Sequence, residues 1–526
     1  MINEDVHTVG MLADRAFDEK DTDTLHRIAE DCLSWVESGE YKLIEKGILA
    51  YHGATSYSNY IQLKYRGALS YSEDMNNEQD FEMCLLLFRL SIENLTSYQE
   101  GEGLKEDTEE FQYVSMYLLM AYTNYANLLN TCGRIIKALS YLKFGVGRDF
   151  PMAIGNFAGF LMDYAAFDYD SGHQLVFVNE SYQLLNEVLK YEKVEPEAYT
   201  HYESLISRLK NWYPLELLEE PYEFDEYSLG DSEEEINYRK WCLENTLFLN
   251  TLSDAFPYSV SAQDILHLPN IVTKIDEGQK YHGLFNQIKQ EYVSARFMVY
   301  DALSSKGAHF SDKDVHLVNT LDYPTYGISI EKMKYSYRSL YSLFDRIAFL
   351  VNEYFEIGIK ERDVSYRSIW KGRINKGKNP YNLKVNLKSR MTDRETFNLP
   401  LIGLYWLCKD IGKQKVKHHY IEPTIEHISK IRHHLEHRYL KVHDSFFYPI
   451  TRESQLERED TLAYSITVDE FKSAVMKLLT YVREGIILLT MAVHLEEERK
   501  RKTDNLEKRI MPMYMDRYDD DWKQLF

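Results

Sequence analysis

Cysteine is scarce in this 526-residue chain: there are five, Cys32, Cys84, Cys132, Cys242 and Cys408. They lie far apart with no C-x-x-C pair, which argues against a disulfide framework or a cysteine-ligated zinc site and fits a reducing cytoplasm. Long apolar runs are also missing. The longest, Gly485 to Val493 (GIILLTMAV), is about half of the ~20 residues that span a bilayer, so it reads as a buried helix and no membrane contact is expected. The opening residues, MINEDVHTVG, are polar and acidic, unlike a secretory leader. Glycine (24) and proline (12) are few, which leaves little to interrupt helices. Positive charge is in deficit too: a net charge of −22 argues against a protein that coats nucleic acid with its whole surface.

What remains is the composition of a globular protein, 44% hydrophobic and 27% charged, long enough for two or three domains. Apolar residues recur at helical spacing over long stretches, and few segments alternate like half-buried strands. The fold class is therefore all-α. The clearest unit is Tyr113–Leu142, YVSMYLLMAYTNYANLLNTCGRIIKALSYL. Ala121, Tyr125 and Leu128 mark one helical face, Gly133 breaks the helix, and Ala138 with Leu142 resumes the pattern. Small residues on either side of a glycine turn let a helical hairpin pack closely, and the arrangement resembles a tetratricopeptide (TPR) repeat. A second copy is marked by Asn156-Phe157-Ala158, 32 residues after Asn124-Tyr125-Ala126, and an earlier one by Asn59-Tyr60. Residues 1–215 are thus expected to form a TPR-like helical array. Residues 216–235, acidic and without helical period, read as a linker. A second helical domain follows over 236–500, with a charged tail at 501–526.

Charge is unevenly spread. Lys360–Lys441 holds 19 Lys and Arg against 8 Asp and Glu, a local net of +11, so the remainder carries −33. Within it lies Ile428–Val442, ISKIRHHLEHRYLKV, where Ile428, Ile431, Leu435 and Leu440 form a partial apolar stripe. Its polar side concentrates Arg432, His433, His434, Glu436, His437, Arg438 and Tyr439. Two chemistries fit. In the first, Arg432 and His437 (R-x-x-x-x-H) cleave RNA. Histidine titrates near neutrality and moves the protons of the 2′-hydroxyl and the 5′-oxygen, arginine clamps the phosphate, and no metal is required. Positions five apart sit about 140° apart on an ideal helix. The pair converges only if the helix frays at His437, if Arg432 reaches around, or if a second subunit completes the site. In the second, His433 and His437 (H-x-x-E-H) bind zinc and Glu436 activates water, which demands a third ligand that nothing in the sequence identifies.

The second half resembles the HEPN superfamily of nucleotide-binding domains, and more narrowly a bacterial subgroup in which TPR-like helices precede the HEPN domain. The likeness is carried by YRKWCLENTLFLN (238–250), EYVSARFMVYDAL (291–303), LYSLFDRIAFLVNEYF (340–355), SYRSIW (365–370), LYWLCKDI (404–411) and IRHHLEHRYL (431–440). It implies a dimerising helical bundle and, in many members, a metal-independent ribonuclease of toxin, defence or RNA-processing systems. The HEPN signature of Arg, a polar residue, three variable positions and His falls on Arg432, His433 and His437. Asparagine is common at the second position, so His433 is a mild departure. Some HEPN toxins extend the signature to H-x-Y, which Tyr439 matches, and there the tyrosine can be nucleotidylated. Asp345 is a lone acid on a helix whose apolar face is Leu340, Phe344, Ile347, Val351 and Phe355. It either pairs with Arg346 or orients the site.

These readings combine into one expectation and one rival. The expectation is a cytoplasmic endoribonuclease with Arg432 and His437 catalytic, His433, Glu436 and Asp345 supporting, Tyr439 open to modification, and no cofactor. RNA is its substrate, a second copy docks through the HEPN half, and a protein or peptide binds the array. The rival is a non-catalytic dimerisation and binding scaffold.

Overall fold

The apolar periodicity of the first half becomes a run of helices in the computed structural model. It describes residues 4–65, 77–101, 103–106, 108–192, 194–274, 277–305, 307–370, 385–393, 395–412, 415–416, 419–422, 424–444, 460, 462–504, 511–518 and 520. The run comprises α1 (Glu4–Asp18), α2 (Thr22–Glu37), α3 (Leu43–Tyr65), α4 (Glu78–Gly101), α5 (Glu109–Thr131), α6 (Ile135–Val146), α7 (Pro151–Phe167), α8 (Ser171–Val188) and α9 (Pro196–Trp212). Consecutive helices pack as hairpins, α3 on α4, α5 on α6 and α7 on α8. Asn59, Asn124 and Asn156, the landmarks of the sequence repeat, fall on the first helix of each. The starts are set by side-chain caps, Asp21 on the Thr24 N–H (3.0 Å) and Thr108 on the Phe111 N–H (3.2 Å), and by Pro151 and Pro196 in the first turns of α7 and α9. Gly133 turns the chain from α5 to α6 at φ +73°, a conformation that a Cβ would strain.

The acidic stretch after α9 holds α10 (Leu215–Leu218) and the start of α11 (Glu233–Glu244). It is fastened to α8 by Asn179 and Gln183, the latter donating to the Leu218 carbonyl (2.6 Å). Asn179 donates to the carbonyls of Leu217 (2.9 Å) and Glu220 (2.8 Å) and accepts from the Tyr222 N–H (2.9 Å). The second half continues with α12 (Lys280–Ser304), α13 (Ile328–Tyr354), α14 (Val385–Thr392), α15 (Leu399–Ile411), the strands β1 (Lys415–Val416) and β2 (His419–Tyr420), α16 (Ile425–His437), β3 (Tyr439–His443), β4 (Ala463–Thr467) and α17 (Val468–Asp504). β1 and β2 pair antiparallel, and β3 and β4 pair parallel with Tyr439 opposite Ala463 and His443 opposite Thr467. The fold is all-α, and these two small ladders are the sheet among the described residues. Of the C-terminal tail, residues 505–510, 519 and 521–526 lie outside the described residues.

α15 is buried where the halves meet. All of α15 from Pro400 to Ile411 is buried, including Lys409 and Asp410, so it has no solvent face. Its first turn is capped by Asn398 on the Leu401 N–H (3.1 Å). Beside it the α5–α6 turn comes so close that a Cβ on Gly403 would stand 2.2 Å from the Gly133 carbonyl oxygen. Lys409 is paired with Glu78 and Glu82 of α4. Asp410 takes Arg89 of α4 (2.9 Å) and Arg134 (2.7 Å), and Arg134 also forks onto Glu484 of α17 (2.5 and 2.7 Å). Buried charges persist only when paired and hydrogen-bonded, and here each finds its partner across the two halves. The apolar core is likewise continuous from the array into α17.

α17 is the only described helix long and apolar enough, by composition, to cross a membrane, and 83% of its apolar window is buried inside the fold. The sequence stripe Ile428, Ile431, Leu435, Leu440 is realised differently at its end. The helix stops at His437, Arg438 leaves the helical conformation (φ −140°, ψ −134°), and Leu440 is buried from strand β3 instead. β-branched Val442 and a parallel partner in β4 favour that outcome.

Candidate functional site

α16 presents a narrow apolar stripe, Ile425, Ile428, Ile431 and Leu435, to the core. That leaves Ser429, Arg432, His433, Glu436 and His437 side by side on the face next to it, at the i, i+3, i+4, i+7, i+8 spacing that puts residues on one face. Two bonds from α13 fix the helix against its neighbour. The Tyr337 hydroxyl donates to the Ile428 carbonyl (2.7 Å), and the Arg338 guanidinium donates to the Leu435 carbonyl, one of the last-turn acceptors a helix cannot satisfy itself.

The polar face borders a cavity of about 420 Å³. Its other walls are Tyr341, Phe344 and Asp345 of α13, the turn Ser365-Tyr366-Arg367, and Cys408, Ile411 and Gly412 at the end of α15. Arg432, His433, Glu436, His437 and Asp345 therefore meet at one place. The 140° offset between Arg432 and His437 becomes the width of the face that walls the cavity: both border it while His437 is still helical, without fraying.

Each side chain is held differently. The Arg432 guanidinium carbon lies 4.4 Å from the centroid of the Tyr341 ring, a cation–π contact that orients it over the cavity floor. Burial pushes the Tyr341 hydroxyl up from its ordinary pKa, and Arg432 pulls in the opposite direction. The rings of His433 and His437 stand 5.3 Å apart, centroid to centroid. His434 faces elsewhere: its Nδ1 is 2.8 Å from the Lys430 carbonyl and its ring packs 5.3 Å from Tyr464 of β4. The three-histidine cluster thus divides into two imidazoles at the cavity and one in a ring stack. Asp345 does not pair with Arg346, which meets Glu291 at 2.9 Å. It accepts the Tyr366 N–H (2.9 Å) and so fixes the turn that carries Arg367 to the cavity.

Tyr439 lies beyond the helix and does not line the cavity. It is 42% exposed, and its hydroxyl bonds Asp460. Sequence reasoning did not single out Arg367, Tyr341 or Ser429. An arginine in the conspicuous SYRSIW stretch and a serine one helical turn before His433 were the available signals. The basic stretch contributes less than its count suggests. Lys409, Arg390 and Lys441 are engaged in ion pairs with Glu78 and Glu82, with Glu496, and with Asp322 and Asp460. Lys371, Arg373, Lys376, Lys378, Lys384, Arg394, Lys413 and Lys417 lie outside the described residues. Among the described residues no three or more His, Cys, Asp or Glu side chains are grouped to hold a metal, so the H-x-x-E-H reading finds no third ligand there.

Chemically, the cavity offers two guanidinium groups for an anion, two imidazoles for proton transfer and two carboxylates, over an aromatic floor. Residues 272–496 match the family of LA2681-like HEPN domains, a span that contains every element bordering the cavity. No curated protein and no solved structure matches the chain.

Proposed function

We propose that the protein is a metal-independent endoribonuclease of a bacterial defence or toxin-type system, a reading supported by the match of residues 272–496 to LA2681-like HEPN domains. The observation that carries this reading is the convergence of Arg432, His433 and His437 on one cavity of nucleotide size. His437 takes the proton of the 2′-hydroxyl as that oxygen attacks the adjacent phosphorus, and a protonated imidazole gives one to the departing 5′-oxygen. The products are a 2′,3′-cyclic phosphate and a 5′-hydroxyl. Arg432 holds the phosphate oxygens, where a fixed charge is worth most as negative charge gathers on the phosphorane. His433 and Glu436 support the His437 ring and Asp345 supports the opposite wall.

The same reading assigns RNA as substrate, a second copy docked through the HEPN half, and a protein or peptide on the N-terminal array, as is usual for stacked helical hairpins. Incubating the purified full-length protein with total RNA, with and without EDTA, tests the core of it. Cleavage that survives chelation and leaves cyclic phosphate ends supports the proposal. Cleavage abolished by EDTA and restored by zinc moves the chemistry to His433, Glu436 and His437 as a metal site, and no cleavage leaves the scaffold reading.

A further inference from the structure

The cavity has walls from two directions, and to the direct packing of α15 on α16 a side chain from far away in the sequence adds a further tie. α15 ends in Cys408, Ile411 and Gly412 on one side, and α16 supplies Arg432 and His437 on the other. The chain between them contains only the two-residue pair β1 and β2 as regular structure among its described residues. A side chain from the N-terminal array bridges the gap. Arg89 of α4, 8% exposed, forks onto both carboxylate oxygens of Asp410 at 2.9 and 3.0 Å. The same Nη1 donates to the Ile421 carbonyl at 2.7 Å, just ahead of α16. Its Nε donates to the Tyr125 hydroxyl of α5 at 2.6 Å and lies 3.8 Å from Glu422. Asp410 sits between Cys408 and Ile411, and Ile421 and Glu422 lead directly into α16.

We propose that Arg89 is a positioning residue for the cavity: one planar guanidinium, aimed by Tyr125, ties the end of α15 to the start of α16. This rests on the reading of the cavity as the reaction site. Only arginine meets the geometry, because a lysine ammonium cannot present a rigid fork to Asp410 and also reach Ile421. Charge neutralisation is a separate matter and is covered by others. Asp410 keeps Arg134 at 2.7 Å, and Glu422 keeps Lys477 at 2.7 Å and Tyr481 at 3.0 Å. Losing Arg89 therefore loosens a spacing more than it strands a charge, and misplacing reacting groups by about 1 Å costs on the order of 10²-fold in rate.

The test uses full-length Arg89→Lys, with Tyr125→Phe as a milder variant that removes only the group aiming the guanidinium and carries the test if the first does not fold. Three readouts are taken: cooperative unfolding, RNA cleavage resolved into kcat and KM, and amide hydrogen exchange along the chain. The proposal expects folded protein, kcat lowered at least ~10-fold with KM within about twofold, and faster exchange confined to residues 404–437. Wild-type kcat in a variant whose exchange is unchanged overturns it, and so does faster exchange spread evenly over the chain, the mark of a merely structural role. Should the wild-type protein cut no RNA, the ribonuclease reading fails alone, and exchange still decides: local loosening upholds Arg89 as the tie, and its absence refutes it.

Discussion

Arg134 is a buried charge that links the two halves, and removing it has a calculable cost. The side chain is 1% exposed, between Asp410 and Glu484, each 2% exposed. Arg134→Met deletes three hydrogen bonds of 2.5–2.7 Å and leaves Glu484 without the guanidinium it was buried against. Breaking a buried pair from one side costs about 3–5 kcal/mol, since the partner stays desolvated and uncompensated. Asp410 does not suffer equally, because Arg89 still forks onto it. The loss is therefore chiefly that of Glu484, and Arg134→Met with Glu484→Met should recover most of it, as a buried ion pair replaced by apolar groups of similar volume is often close to neutral. Urea unfolding followed by far-UV circular dichroism gives the free energies, and the double-mutant cycle gives the coupling. A single-variant loss below about 1 kcal/mol, the range of exposed pairs, would refute the reasoning, as would a double variant as unstable as the sum of its parts.

Three further outcomes follow from the same structure. Gly403→Ala should lower the thermal midpoint markedly, because its Cβ would stand 2.2 Å from the Gly133 oxygen and backbone must separate; an unchanged midpoint contradicts the close approach. His52 is held to a pKa of about 4, below its ordinary 6.5, by burial and by nearby His7. Below pH 6.5 the unfolded chain takes up a proton the folded ring refuses, so stability is intact above that pH and declines by about 3 kcal/mol as pH falls through 4. His52→Gln should flatten that part of a stability-against-pH curve, and an unaltered slope counts against it. Deleting residues 1–215 should give an aggregating fragment without a cooperative transition, since Lys409, Asp410 and Glu484 lose their partners; a soluble, cooperatively unfolding fragment contradicts the continuous core.

The helices were legible because their burial is one-sided: the α5–α6 hairpin and the apolar stripe of α16 both show in the spacing of residues. So was the cluster at Arg432 and His437, where chemistry is dense within one helix. What lay beyond reading was set by partners far away in sequence. LPLIGLYWLCKD shows no polar face because α15 has none, and its Lys409 and Asp410 look like surface residues until α4 and α6 are placed beside them. Arg89 and Asp410 are 321 residues apart, and nothing local distinguishes that arginine from a solvated one. The fate of the histidines was equally hidden. His434 and His437 are identical in type and both in the last turn, and only the position of Tyr464 on a parallel strand draws one of them away. Leu440 fits a helical stripe on paper, yet the turn at Arg438 hands it to a strand.

The most direct test of the central claim is single-turnover cleavage of RNA by full-length His437→Ala and Arg432→Ala beside the wild type. Both residues are exposed at the cavity and absent from the core, so both variants should fold as the wild type does by circular dichroism. The account predicts a loss of at least ~10²-fold for His437→Ala, the contribution of a general acid or base, and a comparable loss for Arg432→Ala. Wild-type rates in either folded variant would contradict it.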